Sequence, residues 1–336
     1  MTRYAGKNKG HRISVAPMLD WTDRHCRYFH RLLTKETLLY TEMVTTGAII
    51  HGKQDFLAYN EEEYPVALQL GGCNPEDMAR CAALAQERGY NEVNINVGCP
   101  SDRVQNGSFG ACLMAEPAAV ADCVKAMKKA VDIPVTVKTR LGIDDHDSDD
   151  FLYAFTDSVV DAGVDQLTLH ARKAWLQGLS PKENRDIPEL QYDRVYKAQE
   201  RYKGFPVAIN GGIKTTESIV THLRNVHGVM VGRAAYQNPW LLTSFDETLG
   251  SVANSVSREE VVEAMIPYVN KHIASGGRAW HVVRHMLGLF QGLPGGKRWR
   301  QYLSIKGPKA QSGESLLKGA LDFKNDHKKP ISELMT

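Results

Sequence analysis

Three residues with reactive side chains, Cys99, Lys138 and His170, lie at or just past the ends of short apolar runs. A thiol can donate a proton near neutral pH, and histidine exchanges protons in the same range. A lysine in such a position has two alternative roles: it can stabilise negative charge on a cofactor, or it can form a Schiff base with a carbonyl substrate. The spacing of these residues does not distinguish the two roles.

Other polar residues end apolar runs as well. Burying a polar group is costly unless it finds a partner, so a single such residue usually has a structural role. Polar residues at most of the strand ends indicate one shared ligand site instead. The residues at these ends are Gln69, Asn94, Asn96, Lys138, Arg140, His170, Arg172, Asn210 and Arg233.

Short glycine-bearing turns follow the last two runs, as Asn210-Gly211-Gly212 and Gly232-Arg233. Glycine has no Cβ, so its backbone N–H can come close to phosphate oxygens, and Arg233 can add positive charge. In barrels of alternating strands and helices, the last two such loops form the usual phosphate site. The pair of turns therefore predicts a ligand that carries a phosphate.

The elements that must position these residues are eight apolar, β-branched runs that alternate with helical patterns such as 75–89 and 118–130. This alternation predicts an α/β fold, a (β/α)8 TIM barrel, in which chemistry lies at the C-terminal ends of buried parallel strands. A doubly wound open sheet is the alternative, and the regular spacing favours the barrel. The predicted strands are 12–17, 38–43, 65–70, 92–97, 134–139, 166–171, 206–210 and 228–232.

The pattern changes after Trp240, where helical periodicity at 258–277 and 280–293 replaces the strand-like runs. We therefore predict a barrel domain over 1–245 and an all-helical C-terminal domain over 246–336. Residues 251–336 hold 13 Lys and Arg against 7 Asp and Glu, a net charge of +6, although the whole chain has only +2. A basic domain can bind a polyanion, and the alternative is a solvated helical face.

Six cysteines without a CxxC pair, and a basic N-terminal segment without an apolar core behind it, predict reduced thiols and a cytoplasmic protein. No apolar run approaches the length of a membrane span, so we expect no membrane association. The sequence gives no sign of a metal site or of a protein partner.

Several segments together resemble the tRNA-dihydrouridine synthases, in order through nearly the whole barrel. The block NVGCPSDRVQNGSFGACLM (96–114) is the most specific of them, and HARKAWLQGLSPKENR (170–185) is similar to the A-type branch, which acts on the tRNA D-loop. The other matching segments are VAPMLDWTDRHCR (15–27), VKTRLG (137–142), LHAR (169–172), INGGI (209–213) and VGRAAYQNPW (231–240).

The resemblance implies an FMN-binding barrel, a tRNA-binding helical domain and NADPH as reductant. The implied reaction reduces uridine to 5,6-dihydrouridine, at positions 20 and 20a for the A-type branch. Hydride passes from flavin N5 to C6 of the base, and Cys99 protonates C5 from the other face. The glycine-bearing stretch after Cys99 would let its loop close on the base, and Cys112 is expected to be a packing residue. The chain has no dinucleotide fingerprint, so the NADPH site stays open.

The family pattern also implies which residues contact each ligand. Asn96 would face the substrate base, which must be drawn out of the RNA to reach the flavin. The implied FMN contacts are Pro17, Met18, Gln69, Lys138, His170, Asn210, Gly211, Gly212, Gly232 and Arg233.

Two basic clusters are candidates for tRNA contact. Arg172, Lys173, Lys182 and Arg185 lie in the loop after the sixth strand. Lys297, Arg298, Arg300 and Gln301 surround Trp299, and basic residues around an aromatic suit phosphate contact combined with base stacking. The alternative for the second cluster is an exposed helix start with a buried Trp299.

Three other functions compete with tRNA reduction. A flavin barrel could reduce a free pyrimidine or a small enone, but such a substrate needs no basic C-terminal domain. A phosphate-binding lyase could use Lys138 as its Schiff base. A non-catalytic RNA-binding module is the least favoured, because binding alone needs no cysteine, lysine and histidine around a cofactor site.

Overall fold

The computed structural model describes residues 12–101 and 109–326 of the 336-residue chain. In that part of the chain, eight parallel strands pair in sequence order and close into a barrel as the last strand pairs with the first. All eight predicted strands and the TIM-barrel fold are confirmed. The strands are β1 (Ile13–Val15), β2 (Leu38–Thr45), β3 (Val66–Gly71), β4 (Glu92–Val97), β5 (Val135–Thr139), β6 (Gln166–His170), β7 (Val207–Asn210) and β8 (Gly228–Val231).

Most strand residues are buried, with the second half of β2 as an exception, and this burial explains why the strands read as nearly continuous apolar runs. One cluster of buried apolar side chains consists of Ala16, Leu38, Tyr40, Ala67 and Met230. Polar side chains lie at or next to the C-terminal ends of β4 to β7, which places them at the mouth of the barrel.

Helices connect successive strands on the outside of the barrel. Asn74 caps the helix Pro75–Glu87 by accepting the Asp77 N–H, and Ser148 caps the helix Asp149–Asp161 by accepting the Phe151 N–H. The patterns at 75–89 and 118–130 are confirmed as helices with slightly different ends. The barrel helices are α2 (Thr46–His51), α3 (Pro75–Glu87), α4 (Pro117–Ala130), α5 (Asp149–Asp161), α6 (Tyr192–Arg201) and α7 (Thr216–Leu223).

The chain divides into two compact units, of which the barrel comprises residues 1–19 and 37–232. The second unit comprises 20–36 and 233–336, and its described part has helices and no strand. It thus begins earlier than the predicted boundary at 246 and takes in an N-terminal segment. Its helices are α1 (Arg24–Leu33), α8 (Arg233–Gln237), α9 (Phe245–Thr248), α10 (Arg258–Ala274), α11 (Ala279–Val283), α12 (Gly296–Lys306) and α13 (Gly313–Asn325).

Two helices of the second unit are shorter than predicted. α10 starts with a capping box between Ser257 and Glu260 and ends at Ala274, before Gly276 takes a left-handed φ of 88°. The pattern at 280–293 is only briefly α-helical and continues as a 3-10 turn over Arg284–Met286. Across the described ranges, no helix has the length and apolarity that crossing a membrane requires.

Candidate active site

Polar side chains from neighbouring strands meet at the barrel mouth. Asn96 on β4 lies opposite Lys138 on β5, and Lys138 lies opposite Thr168 on β6. On the next pair, His170 lies opposite Asn210. The fold therefore brings residues from four neighbouring strands into one ring, as the strand-end pattern predicted.

A tight turn holds Cys99 just past the end of β4. The Oδ1 atom of Asn96 accepts hydrogen bonds from the backbone N–H groups of Gly98 and Cys99, at 3.2 and 2.6 Å. The half-buried thiol donates to the Ser101 hydroxyl at 3.5 Å, and the Cys99 carbonyl accepts from the Ala111 N–H at 2.9 Å. The backbone N–H, the carbonyl and the thiol of Cys99 thus each have a hydrogen-bond partner. Residues 102–108, most of the stretch predicted to close on the base, lie outside the described residues.

The Lys138 side chain is half-buried, and its pKa is strongly shifted. Burial and, after it, the charge of Arg140 lower this pKa to about 7, although Cys99 acts in the opposite direction. Within residues 12–101 and 109–326, no group forms a hydrogen bond or an ion pair with Lys138. A lysine in this state is ready to accept a negatively charged or hydrogen-bonding ligand.

The remaining groups of the ring fit a polar ligand that carries a phosphate. The Thr168 hydroxyl is buried, and no described residue is its hydrogen-bond partner. Gly211 and Gly212 have φ values of +113° and +71°, which favour glycine, and a Cβ on Gly211 would lie 2.7 Å from Cδ2 of His170. A Cβ on Gly232 would meet no atom closer than 3.9 Å, so the backbone there is open to a ligand.

The other predicted cofactor residues lie at different depths. Gln69 is buried on β3, where its backbone N–H donates to the Thr41 hydroxyl at a register shift in β2. Pro17 and Met18 come after β1 and Ala16, and both are half-buried. Arg233 is the first residue of α8 and belongs to the second unit. Their contacts with a ligand stay predictions.

Arg140 is a site residue for which the sequence analysis predicted no individual role. Its buried guanidinium donates to three carbonyls, those of Gly98 at 3.1 Å, Asn184 at 2.9 Å and Lys173 at 3.2 Å. Burial lowers its pKa to about 10, so it remains charged at neutral pH. Arg140 therefore fastens the Cys99 turn to the loop that follows β6. Only its position at the end of β5 marked it in the sequence.

Asn184 organises the basic loop after β6. Its side chain accepts from the Trp175 N–H at 2.7 Å and donates to the carbonyls of Trp175 and Leu179 at 2.9 and 3.1 Å. The loop's cations differ in availability. Lys173 pairs with Asp147 at 3.0 Å, whereas Lys182 is exposed.

The other two basic residues of this loop also differ in exposure. Arg185 is exposed, and Arg172 is half-buried and donates to the Asp186 carbonyl at 3.3 Å. Lys182 and Arg185 are therefore the most accessible of the four predicted tRNA contacts in this loop.

The predicted cluster around Trp299 has a different character. Trp299 is fully buried, donates to the Met286 carbonyl at 2.9 Å and packs edge-on against Phe290. The base-stacking interpretation is therefore wrong for Trp299, and the alternative of a buried tryptophan is correct. Arg298 donates to the Phe323 carbonyl at 2.8 Å and lies over its ring.

The other members of that cluster differ in their exposure and in their hydrogen-bond partners. Lys297 is exposed, and Arg300 donates to the Gln291 side chain at 2.9 Å. The Gln301 Oε1 atom is buried, and in the described part of the chain it has no hydrogen-bond partner. Lys297 is thus the most accessible of the four residues that the sequence placed around Trp299 in α12.

Most of the remaining cysteines are buried or hydrogen-bonded to a nearby carbonyl. Cys112 donates to the Phe109 carbonyl at 3.1 Å, and burial raises the pKa of its thiol. Cys26, Cys81 and Cys123 are buried. Among the described residues, no group of three or more histidine, cysteine or acidic side chains could hold a metal ion.

Comparison with known proteins gives full-length matches. The family model Dihydrouridine synthase (Dus) matches residues 14–325. The tRNA-dihydrouridine(20/20a) synthase of Vibrio parahaemolyticus is 64% identical over 312 residues, which cover 92% of this chain and 96% of that protein. The enzyme of the same name from Shewanella oneidensis is 61% identical over 313 residues, 93% of both chains. Among solved structures, morphinone reductase gives a TM-score of 0.49 at 12% identity, over 74% of this chain and 88% of its own, too distant to support an inference.

Proposed function

This chain belongs to the dihydrouridine synthase family and is an oxidoreductase, and on that premise we propose that it reduces uridines 20 and 20a in the D-loop of tRNA. The observation that carries the proposal is the Cys99 thiol, which Asn96 holds at the barrel mouth near Lys138, an amine that no described residue pairs with. Both similar proteins are named tRNA-dihydrouridine(20/20a) synthase, which supports tRNA as the substrate and these two positions as the targets.

We propose FMN as the resident cofactor and NADPH as its reductant. FMN bound at the mouth would supply the hydride that adds to C6 of the base. Lys138 and Gln69 would bind the polar edge of the flavin, with His170 beside it. The residues that would surround its phosphate and line its ring are Asn210, Gly211, Gly212, Gly232, Arg233, Pro17 and Met18.

Cys99 would act as the general acid. Hydride addition to C6 builds enolate-like charge over C5 and C4=O, and the thiol proton goes to C5. A thiolate remains, and the positive charges of Lys138 and Arg140 interact with it favourably. Because Cys99 is only half-buried, solvent can return the proton after the product leaves.

The substrate would be recognised at two levels. Asn96 would bind the extruded base, while the loop cations Arg172, Lys173, Lys182 and Arg185 would bind phosphates near the mouth. Lys297, Arg298 and Gln301 are proposed as further tRNA contacts on α12, and the basic charge of residues 251–336 supports a polyanionic partner. A cytoplasmic location follows from this substrate.

An anaerobic flavin titration tests the whole proposal. The purified protein would be reduced with NADPH, mixed with unmodified tRNA and followed through the visible flavin band. We expect tRNA to reoxidise the flavin and free uridine not to do so. A colourless protein that cannot be reconstituted with FMN would refute the flavin chemistry. Equal reoxidation by free uridine would instead assign the enzyme to free pyrimidines.

A further inference from the structure

A continuous chain of hydrogen bonds crosses the barrel interior from the Cys99 turn to a buried carboxyl group near its base. We call it the interior chain. All of its members belong to the barrel unit, and three strands, β3, β4 and β5, contribute side chains to it. Its members are the backbone N–H of Cys99 and the side chains of Asn96, Gln69, Asn94, Thr136 and Glu92.

Each link of the interior chain has good geometry. Asn96 Nδ2 donates to Gln69 Oε1 at 2.8 Å, and Gln69 Nε2 donates to Asn94 Oδ1 at 2.8 Å. Asn94 Nδ2 donates to Thr136 Oγ1 at 2.8 Å, and that hydroxyl donates to Glu92 Oε1 at 2.6 Å. The side chains are all buried.

The interior chain can run in only one direction. A backbone N–H can only donate, so the side-chain oxygen of Asn96 must accept and its NH2 group must donate to Gln69. The same requirement passes to Asn94, whose NH2 group must donate to Thr136. The Thr136 hydroxyl has one proton and donates it to Glu92, so Glu92 ends the chain as an acceptor.

This direction determines what the mouth presents to a ligand. The Asn96 oxygen already accepts two hydrogen bonds, so its remaining polar group is one N–H. Gln69 likewise has one N–H left on its amide nitrogen. A donor at Asn96 complements a carbonyl oxygen of uracil and does not complement the N3–H of the same base.

We propose that Glu92 is a positioning residue, because its acceptor oxygen holds the Gln69 and Asn96 amides in the orientation that offers N–H donors to cofactor and base. This inference rests on the proposed function, in which FMN and uracil occupy the mouth. Glu92 itself touches neither ligand.

Glu92 needs only a carbonyl-type oxygen for this role. Burial raises its pKa to about 7, and the hydrogen bonds from Thr136 and Tyr40 oppose that rise. A carboxyl group that is protonated on its other oxygen still accepts at Oε1. Glu92→Gln should therefore preserve the interior chain, whereas Glu92→Leu should break it.

Tyr40 offers a matched control, because its hydroxyl also donates to Glu92 Oε1 but does not lie on the path to Gln69. Tyr40→Phe and Thr136→Val each delete one hydroxyl bonded to the same oxygen. A purely structural role for Glu92 predicts similar effects of the two changes. A positioning role predicts an effect on ligand binding for Thr136→Val alone.

The experiment is a titration of each apoprotein with FMN, followed by quenching of flavin fluorescence, together with thermal unfolding of the same samples. A hydrogen bond contributes about 0.5–1.5 kcal/mol, so we expect Thr136→Val and Glu92→Leu to raise the Kd for FMN about threefold to tenfold. Tyr40→Phe and Glu92→Gln should bind FMN as the parent does, whatever their melting temperatures.

Two results would overturn the proposal. One is parental FMN affinity in Thr136→Val, and the other is an equal loss of affinity in Tyr40→Phe. If Glu92→Leu does not fold, the pair Thr136→Val and Tyr40→Phe still decides the question. A parent protein that fails to bind FMN would refute the proposed function instead, so the two failures are distinguishable.

Discussion

At the barrel mouth, Lys138 and Thr168 have polar atoms that no described residue engages. In α12, by contrast, Arg298 and Trp299 donate to carbonyls within their own unit. Both regions have the residue types that the sequence associated with function. These two pairs of residues differ in whether folding leaves their polar atoms available, which separates a candidate site from residues with structural roles. Gln301 is the exception in α12, because its buried Oε1 atom has no hydrogen-bond partner among the described residues.

The largest effect is expected from removal of the thiol at the barrel mouth. Cys99→Ala should retain FMN and lose about 10²–10⁴-fold in the rate of dihydrouridine formation, the usual contribution of a general acid. Single-turnover reoxidation of reduced flavin by tRNA measures that rate. Cys112→Ala is the control, because the Cys112 thiol bonds only to a local carbonyl among the described residues. Full activity in Cys99→Ala would refute its role as the acid.

Arg140 tests whether the mouth depends on the loops that surround it. Arg140→Gln cannot bridge the carbonyls of Gly98, Lys173 and Asn184, so Cys99 should shift from its place. A displacement of about 1 Å can reduce turnover about 10²-fold. Mass spectrometry should also show a changed rate of alkylation at Cys99.

Arg194 supplies the matched control for Arg140. It pairs with Asp149 at 2.7 Å on the outer helices of the barrel. Arg194→Gln should lower the melting temperature and leave turnover and Cys99 alkylation unchanged. If both arginine variants lose turnover equally, the effect is general destabilisation and Arg140 has no specific positioning role.

The third test concerns the charge state of Lys138, whose pKa burial lowers to about 7. The protonated ammonium should bind the electron-rich edge of the flavin, so FMN binding should take up a proton above pH 7. The Kd for FMN should then rise with pH above about 7, by at most tenfold per pH unit. Lys138→Met should bind FMN more weakly and lose this pH dependence. A parent and variant with the same slope would assign the titration to another group.

The barrel could be predicted from the sequence because a parallel strand is buried on both faces and therefore appears as a short apolar run. Parts of the second unit could not. Asp23 lies in the segment 20–36, yet it pairs with Arg284 at 2.7 Å, and that long-range contact leaves no local pattern. The helix predicted at 280–293 also stops early at Val283.

The candidate site, like the fold, could be predicted from the sequence only in part. Strand ends identify side chains that point into a mouth, so Cys99, Lys138 and His170 stood out together. The role of Arg140 depends on backbone carbonyls of other loops, and every residue has a carbonyl. The direction of the interior chain also depends on partners from three strands. Only the folded structure brings those partners together.

The smallest expected effect distinguishes the two basic surfaces, because Lys182 is exposed whereas Arg298 bonds to Phe323. Lys182→Ala should weaken tRNA binding a few-fold and reduce the slope of log Kd against log salt by about 1, without a change in melting temperature. Arg298→Ala should lower the melting temperature and change that slope by less, because its guanidinium is already engaged. An equal change of slope in both variants would show that its internal contacts do not prevent Arg298 from binding phosphate. The contrast between the barrel mouth and α12 would then not apply to Arg298.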